Sequence, residues 1–365
     1  MNPYQAMIAR RWKAAAPYSA LFELTYVCNH ACSFCYNCPT GEKELGTEQV
    51  FEALRKIADF GVLFLTLSGG EPLCRKDFFA IAAEARRLHF AIRVYTNGYL
   101  IDEAVAERLA EEVRPFEMEI SLHGARPGTH EALTRVPGSF VNLVAGVRAL
   151  RKRGIKVLLK TPITKMNMSE LREMKVLADD LGAGIHFDPV VTPKDDGDQE
   201  PLQMGADEAF LKRWWSDEFL DVREEKVPVR RDDREIAAVC GTGRSGFAVD
   251  PYGNIYPCVQ WRRKVANILE ISSLRDVWKG SPVLAEVRRV AEEIPRTTLK
   301  NSDVGEFTAF CAGVAWLQTG DPTRMYPQAE LTARIRKKAY LEIRARSDAG
   351  EAIGEMANVF EKCGE

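Results

Sequence analysis

Apolar residues in the first half of the chain alternate between short continuous runs and stretches where they recur every third or fourth position. Leu21–Val27 (LFELTYV) predicts a first strand, and Thr47–Phe60, opened by a threonine cap, predicts a helix behind it. Val62–Leu67 (VLFLTL) reads as a buried strand followed by a helix near Asp77–Leu88, and Ala91–Thr96 as a strand followed by a helix near Asp102–Glu112. Phe116–Leu122 pairs in the same way with a helix near Phe140–Arg153, and Lys156–Ile163 with one near Ser169–Leu181, before a sixth strand at Gly184–Val190. Units of roughly 25–40 residues, each an apolar strand and an amphipathic helix, predict parallel βα repeats. Six such units fit a partial (β/α) barrel or a doubly wound sheet.

The pattern breaks beyond residue 190. Pro193–Pro201 (PKDDGDQEP) predicts an acidic linker and Arg230–Glu235 a second charged run, both expected as solvated surface. Between them Phe210–Phe219, with Trp214 and Trp215, predicts a helix packed on the first half. Phe247–Val249 and Ile255–Tyr256 flank Asp250–Asn254 and predict a β-hairpin that brings Cys240 near Cys258. A further helix begins near Trp278, and Cys311 follows. The basic stretch Ala329–Arg346 predicts a helix with a solvated face.

Charge narrows the class. Fifty Lys and Arg stand against 52 Asp and Glu, for a net charge of −2, so a general nucleic-acid binder with its basic excess is not expected. No run of about 18 apolar residues exists, and the N-terminus lacks the apolar core of an export signal. The expectation is a cytoplasmic enzyme with neither nucleic-acid nor membrane partners. Nine cysteines in such a chain do not read as a disulfide framework.

The distinctive residues all follow strands. The loop Cys28-Asn-His-Ala-Cys32-Ser-Phe-Cys35-Tyr36 follows the first, Gly69-Gly70-Glu71-Pro72 the second, Thr96-Asn97-Gly98 the third, and Ser121 with His123-Gly124 the fourth. Parallel βα arrays gather such loops on one rim, where their chemistry is assembled. Three thiolates on one short loop can hold three irons of a [4Fe–4S] cluster and leave the fourth iron open. Cys38-Pro39 keeps an alternative in play, because four thiolates could close a zinc site or a ferredoxin-like cluster.

The Cys-x3-Cys-x2-Cys spacing, with Phe34 before its last cysteine, resembles the radical S-adenosylmethionine (radical SAM) superfamily. That resemblance implies that Cys28, Cys32 and Cys35 ligate a [4Fe–4S] cluster whose open iron binds S-adenosylmethionine. It implies reductive cleavage to a 5′-deoxyadenosyl radical, fed by a reductant such as flavodoxin or ferredoxin. Gly69, Gly70, Glu71 and Pro72 look like the segment that meets the methionine amino group. Phe34, Tyr36, Thr96, Asn97, Ser121, Lys160 and Asn167 are the remaining expected cofactor-facing positions. Tyr36, His123 and Asp188 are the candidate catalytic side chains, with Arg126 and His186 nearby at strand ends.

Cys240-x12-Gly253-x4-Cys258, the Asn267-Ile268 to Trp278 stretch, and Cys311 before Thr319-Gly320-Asp321 resemble the SPASM/twitch extension of the same superfamily. The late cysteine motif is reduced to Cys311, which implies one auxiliary iron–sulfur cluster on Cys240, Cys258 and Cys311. Its fourth ligand could be absent, or Asp232, Asp233, Cys363 or the substrate could supply it, and Cys38, Cys74 and Cys363 have no firm role.

The expected layout is an N-terminal segment at 1–18, a partial (β/α)6 TIM-type barrel at 19–190, and a linker with a bridging helix at 191–235. An α+β SPASM/twitch extension at 236–325 and a C-terminal helix and tail at 326–365 complete it. The resemblance is to the branch of PqqE-, mycofactocin-maturase- and NirJ-like enzymes. It implies hydrogen abstraction from a peptide with C–C or C–S bond formation or oxidation, and, as the alternative, a tetrapyrrole or other cofactor precursor. With some twenty residues before the first strand, the N-terminal leader-binding domain of many members is expected to be absent. Either a separate leader-binding protein would then present the peptide, or the substrate is not a leader peptide. A non-catalytic iron–sulfur or zinc protein is the alternative of another class.

Overall fold

The computed structural model describes residues 2–219, 221–223 and 238–349. Six strands run in parallel: β1 (Ser19–Thr25), β2 (Phe64–Gly69), β3 (Ala91–Thr96), β4 (Glu117–Ser121), β5 (Val157–Pro162) and β6 (Gly184–Asp188). Each pairs with its sequence neighbour, and right-handed βα crossovers in that order set the helices on one face. One layer of helices lies between them, at Thr47–Asp59, Phe78–Arg87, Glu103–Arg108, Ser139–Lys152 and Leu171–Asp180. Of the two arrangements that the periodicity left open, the six-unit α/β partial barrel is therefore the one present.

Alternation along the strands divides core from lumen. On β5, Val157, Leu159 and Thr161 are buried against the helices, whereas Leu158 and Lys160 are only half-buried on the other face. Register places Ser121 opposite Lys160 and Lys160 opposite His186, so the polar positions form a row across β4, β5 and β6.

The second half does not form a separate sheet. β7 (Gly246–Val249) pairs in parallel with β1, and β8 (Asn254–Tyr256) and β9 (Ala266–Asn267) continue antiparallel, giving one nine-stranded sheet. Asp250 shapes the predicted hairpin. Its carboxylate accepts from the Tyr252 and Asn254 amides at 2.9 and 2.8 Å, and from Tyr256 Oη at 2.9 Å. A second apolar cluster around the fully buried Trp261 joins the helix Pro282–Glu293 to the helix Ala312–Thr319.

Several elements differ from expectation. The N-terminal segment holds a helix, Pro3–Lys13, capped by Asn2. The helix after the first strand is capped at Gly46 instead of Thr47, whose hydroxyl donates to Asp77 at 2.7 Å. An unforeseen helix, Pro127–Thr134, follows β4, and the bridging helix is shorter than predicted, at Glu208–Trp214. The basic C-terminal helix, Pro327–Asp348, is not merely a solvated face, because Ala333, Ile335, Ala339 and Ile343 are buried. Nor is the acidic linker all surface, since Asp195 is turned inward. Arg230–Glu235, Asp232, Asp233 and Cys363 lie outside the described residues.

Candidate active site

The end of β1 and the loop after β2 are pressed together. The Gly70 amide donates to the Thr25 carbonyl at 2.7 Å, and the Glu71 amide to that of Val27 at 3.0 Å. Gly69 has φ +133°, and a Cβ there would meet the Thr25 carbonyl at 2.2 Å; one on Gly70 would meet the Val27 and Tyr26 carbonyls at 2.6 and 2.7 Å. Only glycine permits this approach. It leaves the two backbones forming one wall of a cavity of about 650 Å³.

The cysteine loop forms the adjoining wall. Its Ala31 and Ser33 amides donate to the carbonyls of Thr134 and Leu133, so the unforeseen helix after β4 serves as its platform. Asn97 Nδ2 donates to Asn29 at 2.7 Å, and Asn37 Nδ2 to the Gly69 carbonyl at 3.1 Å. Cys28, Cys32, Phe34, Cys35, Tyr36, Gly69, Gly70, Thr96, Asn97, Ser121, His123 and Lys160 all line the cavity. Twelve separately predicted positions thus meet in one space. Phe34 stands edge-on to His123, with ring centroids 4.9 Å apart.

The remaining predicted residues lie elsewhere. Glu71 is fully buried behind the wall, accepting from Thr96 Oγ1 at 2.8 Å and from the Asn97 and Leu73 amides at 2.7 and 3.0 Å. It joins the loops after β2 and β3, with Pro72 buried beside it. Asn167 is also buried, its side chain bonded to the Thr164 amide and to the His123 and Pro162 carbonyls. Both are ties, not cavity walls. Asp188 is exposed at the end of β6, where its carboxylate accepts from the Val190 amide, and it is not on the cavity lining.

Burial governs the electrostatics. Desolvation pushes the Cys32 thiol up to about 12, with the neighbouring Cys35 and Cys28 thiols adding to it, and it raises Cys28 and Cys35 as well. Uncomplexed, these groups hold their protons, and a metal would replace them. Burial also lowers His30 and His130 to about 4 and His123 well below its ordinary value, so all three imidazoles are neutral at pH 7. Among the described residues no three Cys, His, Asp or Glu side chains gather at one ion-sized point. A closed zinc site requires that convergence, whereas a cubane takes each thiolate on a different iron. The three thiols, open on a cavity wall beside the glycine loop, fit an iron–sulfur cluster with one free coordination position.

A second set of thiols sits behind this site. Cys240, Cys258 and Cys311 border the Trp261 cluster. Burial, with the adjacent Cys311 and Cys240 thiols adding, pushes Cys258 up to about 12. The set is drawn from three distant segments and lines none of that cavity.

Comparison with known proteins accords with this geometry. The radical SAM superfamily model matches residues 22–181, and the SPASM iron–sulfur cluster-binding domain model matches residues 240–301. Pre-heme d1 synthase of Dinoroseobacter shibae is 30% identical over 359 residues, covering 86% of both chains. The chain belongs to the radical SAM superfamily. PqqA peptide cyclase of Gluconobacter oxydans is 27% identical to this radical SAM chain over 288 residues, covering 73% of it and 78% of the cyclase. Native anSMEcpe with bound AdoMet shares the fold at TM-score 0.64 and 16% identity, over 95% of this chain and all of that one. The radical SAM enzyme therefore has S-adenosylmethionine, a radical-site cluster and an iron–sulfur cluster-binding extension as its cofactor apparatus. No helix among the described residues is long and apolar enough to cross a membrane.

Sequence reasoning missed three residues that matter here. Glu119 lines the cavity, is 7% exposed, and has one carboxylate oxygen, Oε2, with no hydrogen-bond partner among the described residues. Its alternate position two residues before Ser121 was the available signal. His30 also lines the cavity, and neither of its ring nitrogens has a hydrogen-bond partner among the described residues. Tyr26 completes the wall and donates to Glu23 at 3.0 Å.

Proposed function

We propose that this enzyme modifies a peptide, abstracting a hydrogen atom to form a C–C or C–S bond or to oxidise a residue. The carrying observation is the cavity floor, where the orphaned Glu119 Oε2 and the Lys160 ammonium sit on neighbouring strands. Ser121 is paired with Lys160, so Glu119 and Lys160 are diagonal neighbours on the same face. A buried acceptor beside a donor matches the N–H and C=O of an amide. Arg93 takes one oxygen of the Glu119 carboxylate, and Oε2 is left without a hydrogen-bond partner among the described residues; an unpaired buried acceptor is costly, so a ligand supplying an N–H is favoured there.

Cys28, Cys32 and Cys35 would hold the cluster, and the Gly69–Gly70 backbone would approach the methionine end of S-adenosylmethionine. When bound, that cofactor pair supplies the 5′-deoxyadenosyl radical. The chain's own contribution is placement. Phe34 and His123 pack together in the wall, Tyr36 and Tyr26 also line it, and Thr96, Asn97 and Ser121 would face the cofactor. Glu71 and Asn167 fix those loops from behind. Tyr36 and His123, both on the cavity lining, would orient substrate, the latter as a neutral imidazole. Asp188 would take part with a substrate extending over the β6 edge. Cys240, Cys258 and Cys311 would carry the auxiliary cluster. In this reading flavodoxin or ferredoxin supplies electrons, a separate leader-binding protein presents the peptide, and the enzyme works in the cytoplasm.

The extent of the similarity to pre-heme d1 synthase favours a second reading, a tetrapyrrole precursor as substrate. Carboxylates of such a precursor would suit Lys160 but would meet repulsion at Glu119. Anaerobic turnover separates the two. A small peptide encoded beside the gene should raise 5′-deoxyadenosine formation above the substrate-free rate and change mass in step with it. Stimulation by an iron tetrapyrrole carboxylate, with none by the peptide, would overturn the peptide reading.

A further inference from the structure

Between the two thiol sets lies a buried ionic junction that neither set uses as ligand. Arg262 stands four residues after Cys258. Its guanidinium grips Glu23 of β1 through two bonds of 2.8 Å, and reaches Asp195 of the linker at 2.9 Å. The three side chains are 10%, 1% and 11% exposed. Glu23 also accepts from Tyr26 Oη at 3.0 Å, and the Asp195 amide donates to the Tyr36 carbonyl at 2.9 Å. Tyr26 and Tyr36 both line the radical-site cavity, and Tyr36 is bonded to Cys35. On its other side the guanidinium faces the Tyr256 ring, 5.2 Å from its centroid, within the Asp250 hairpin. One side chain thus links the Cys258 loop to two points on the cavity wall.

Two buried carboxylates share this one cation. Without it they would face each other uncompensated, which a desolvated site does not tolerate. Arg262 can hold that position only while its own loop is seated, and the loop is anchored by the Cys258–Trp261 bridge and the buried Trp261 ring. We propose that Arg262 is a positioning residue that transmits the seating of the auxiliary unit to the radical site, through Glu23 to Tyr26 and through Asp195 to the Cys35–Tyr36 segment. The proposal rests on reading both thiol sets as cluster ligands. Its consequence is ordered assembly: the cavity wall takes its working form once the Cys240, Cys258 and Cys311 unit is in place.

Arg262→Met keeps the bulk and removes the charge, and Arg262→Lys keeps the charge without the two-pronged grip. In reconstituted holoenzyme, Arg262→Met should retain both clusters by iron count. Backbone hydrogen exchange over residues 26–38 should accelerate about tenfold or more. The change that S-adenosylmethionine produces in the electron paramagnetic resonance spectrum of the reduced first cluster should weaken, and KM for S-adenosylmethionine should rise about tenfold. Arg262→Lys should restore these in part, and Asp195→Asn should loosen the Tyr36 side alone. Wild-type exchange over residues 26–38 together with a wild-type spectral response in Arg262→Met would overturn the proposal. Should Arg262→Met not fold, Asp195→Asn and Glu23→Gln carry the same comparison. If the wild-type enzyme formed no 5′-deoxyadenosine, the catalytic reading would fail, whereas the exchange measurement would still decide the junction.

Discussion

The two thiol sets hold three cysteines each, yet they are built in opposite ways. Cys28, Cys32 and Cys35 sit on one eight-residue loop that is tied to its neighbours by backbone and amide bonds and opens on a cavity. Cys240, Cys258 and Cys311 come from segments 18 and 53 residues apart and are drawn together by the β7–β8 hairpin and by packing around Trp261. The first is a local structure placed on a rim, the second a product of the tertiary fold. Open and pre-shaped suits chemistry on a small ligand, whereas closed and packed suits a group that stabilises or relays.

Cys32→Ala should have the largest effect. It removes the most buried thiol of the loop, and 5′-deoxyadenosine formation should fall to background with loss of about four irons. The auxiliary unit should keep its own iron, because the two sets share no residue. Loss of all iron in this variant would break the division between the sites.

Gly70→Ala tests whether the open site depends on backbone contact. The added Cβ meets the carbonyls of Val27 and Tyr26 at 2.6 and 2.7 Å, so the loop must move by a good part of an ångström. Cofactor cleavage should drop about 10²-fold with the iron content unchanged. An active Gly70→Ala enzyme would show that the close approach is dispensable.

How much of each site was legible follows from the same contrast. The first was readable because its information is local: cysteine spacing, a glycine pair and strand-end position survive in one dimension. Glu119 was not, because its unpartnered oxygen exists only once Arg93 has taken the other side of the carboxylate, at 3.3 Å. Asp195 was misread as surface for a similar reason. Its acidic, proline-bounded stretch has a solvated composition, and nothing nearby in sequence announces Arg262 as its partner. The hairpin was legible from Asp250–Asn254, but its merger with β1 into one sheet was not, since parallel pairing over 200 residues leaves no local trace. The helix Pro127–Thr134 was lost behind its Pro and Gly, which at a helix start are tolerated.

Cys258→Ala should act mainly on stability. The variant should lose about four irons and unfold several degrees lower, because metal binding there is folding energy for a set gathered from three segments. Substrate-free 5′-deoxyadenosine formation should fall less than in Gly70→Ala, by the amount that Arg262 transmits. A Cys258→Ala enzyme as stable as wild type would show that the Trp261 cluster suffices alone.

The smallest effect isolates the tie behind the open site. Burial raises the Glu71 carboxyl to about 7, against the pull of three hydrogen-bond donors, from an ordinary value of 4.5. The unfolded chain gives up this proton near 4.5, whereas the folded chain keeps it until about 7. Between those values the folded state binds more protons, so this group's contribution to stability declines as pH rises and levels off above about 7. Glu71→Gln removes the titration. Its amide can still accept from Thr96 and Leu73 but presents N–H to the Asn97 amide, at a pH-independent cost of about 1–3 kcal/mol. The thermal midpoint of Glu71→Gln should therefore lie furthest below wild type near pH 5 and approach it by pH 7.5. Unfolding curves for the two proteins that run parallel from pH 5 to 8 would show that the donors, not burial, set the state of this carboxyl. The loops after β2 and β3 would then be joined through a permanent carboxylate.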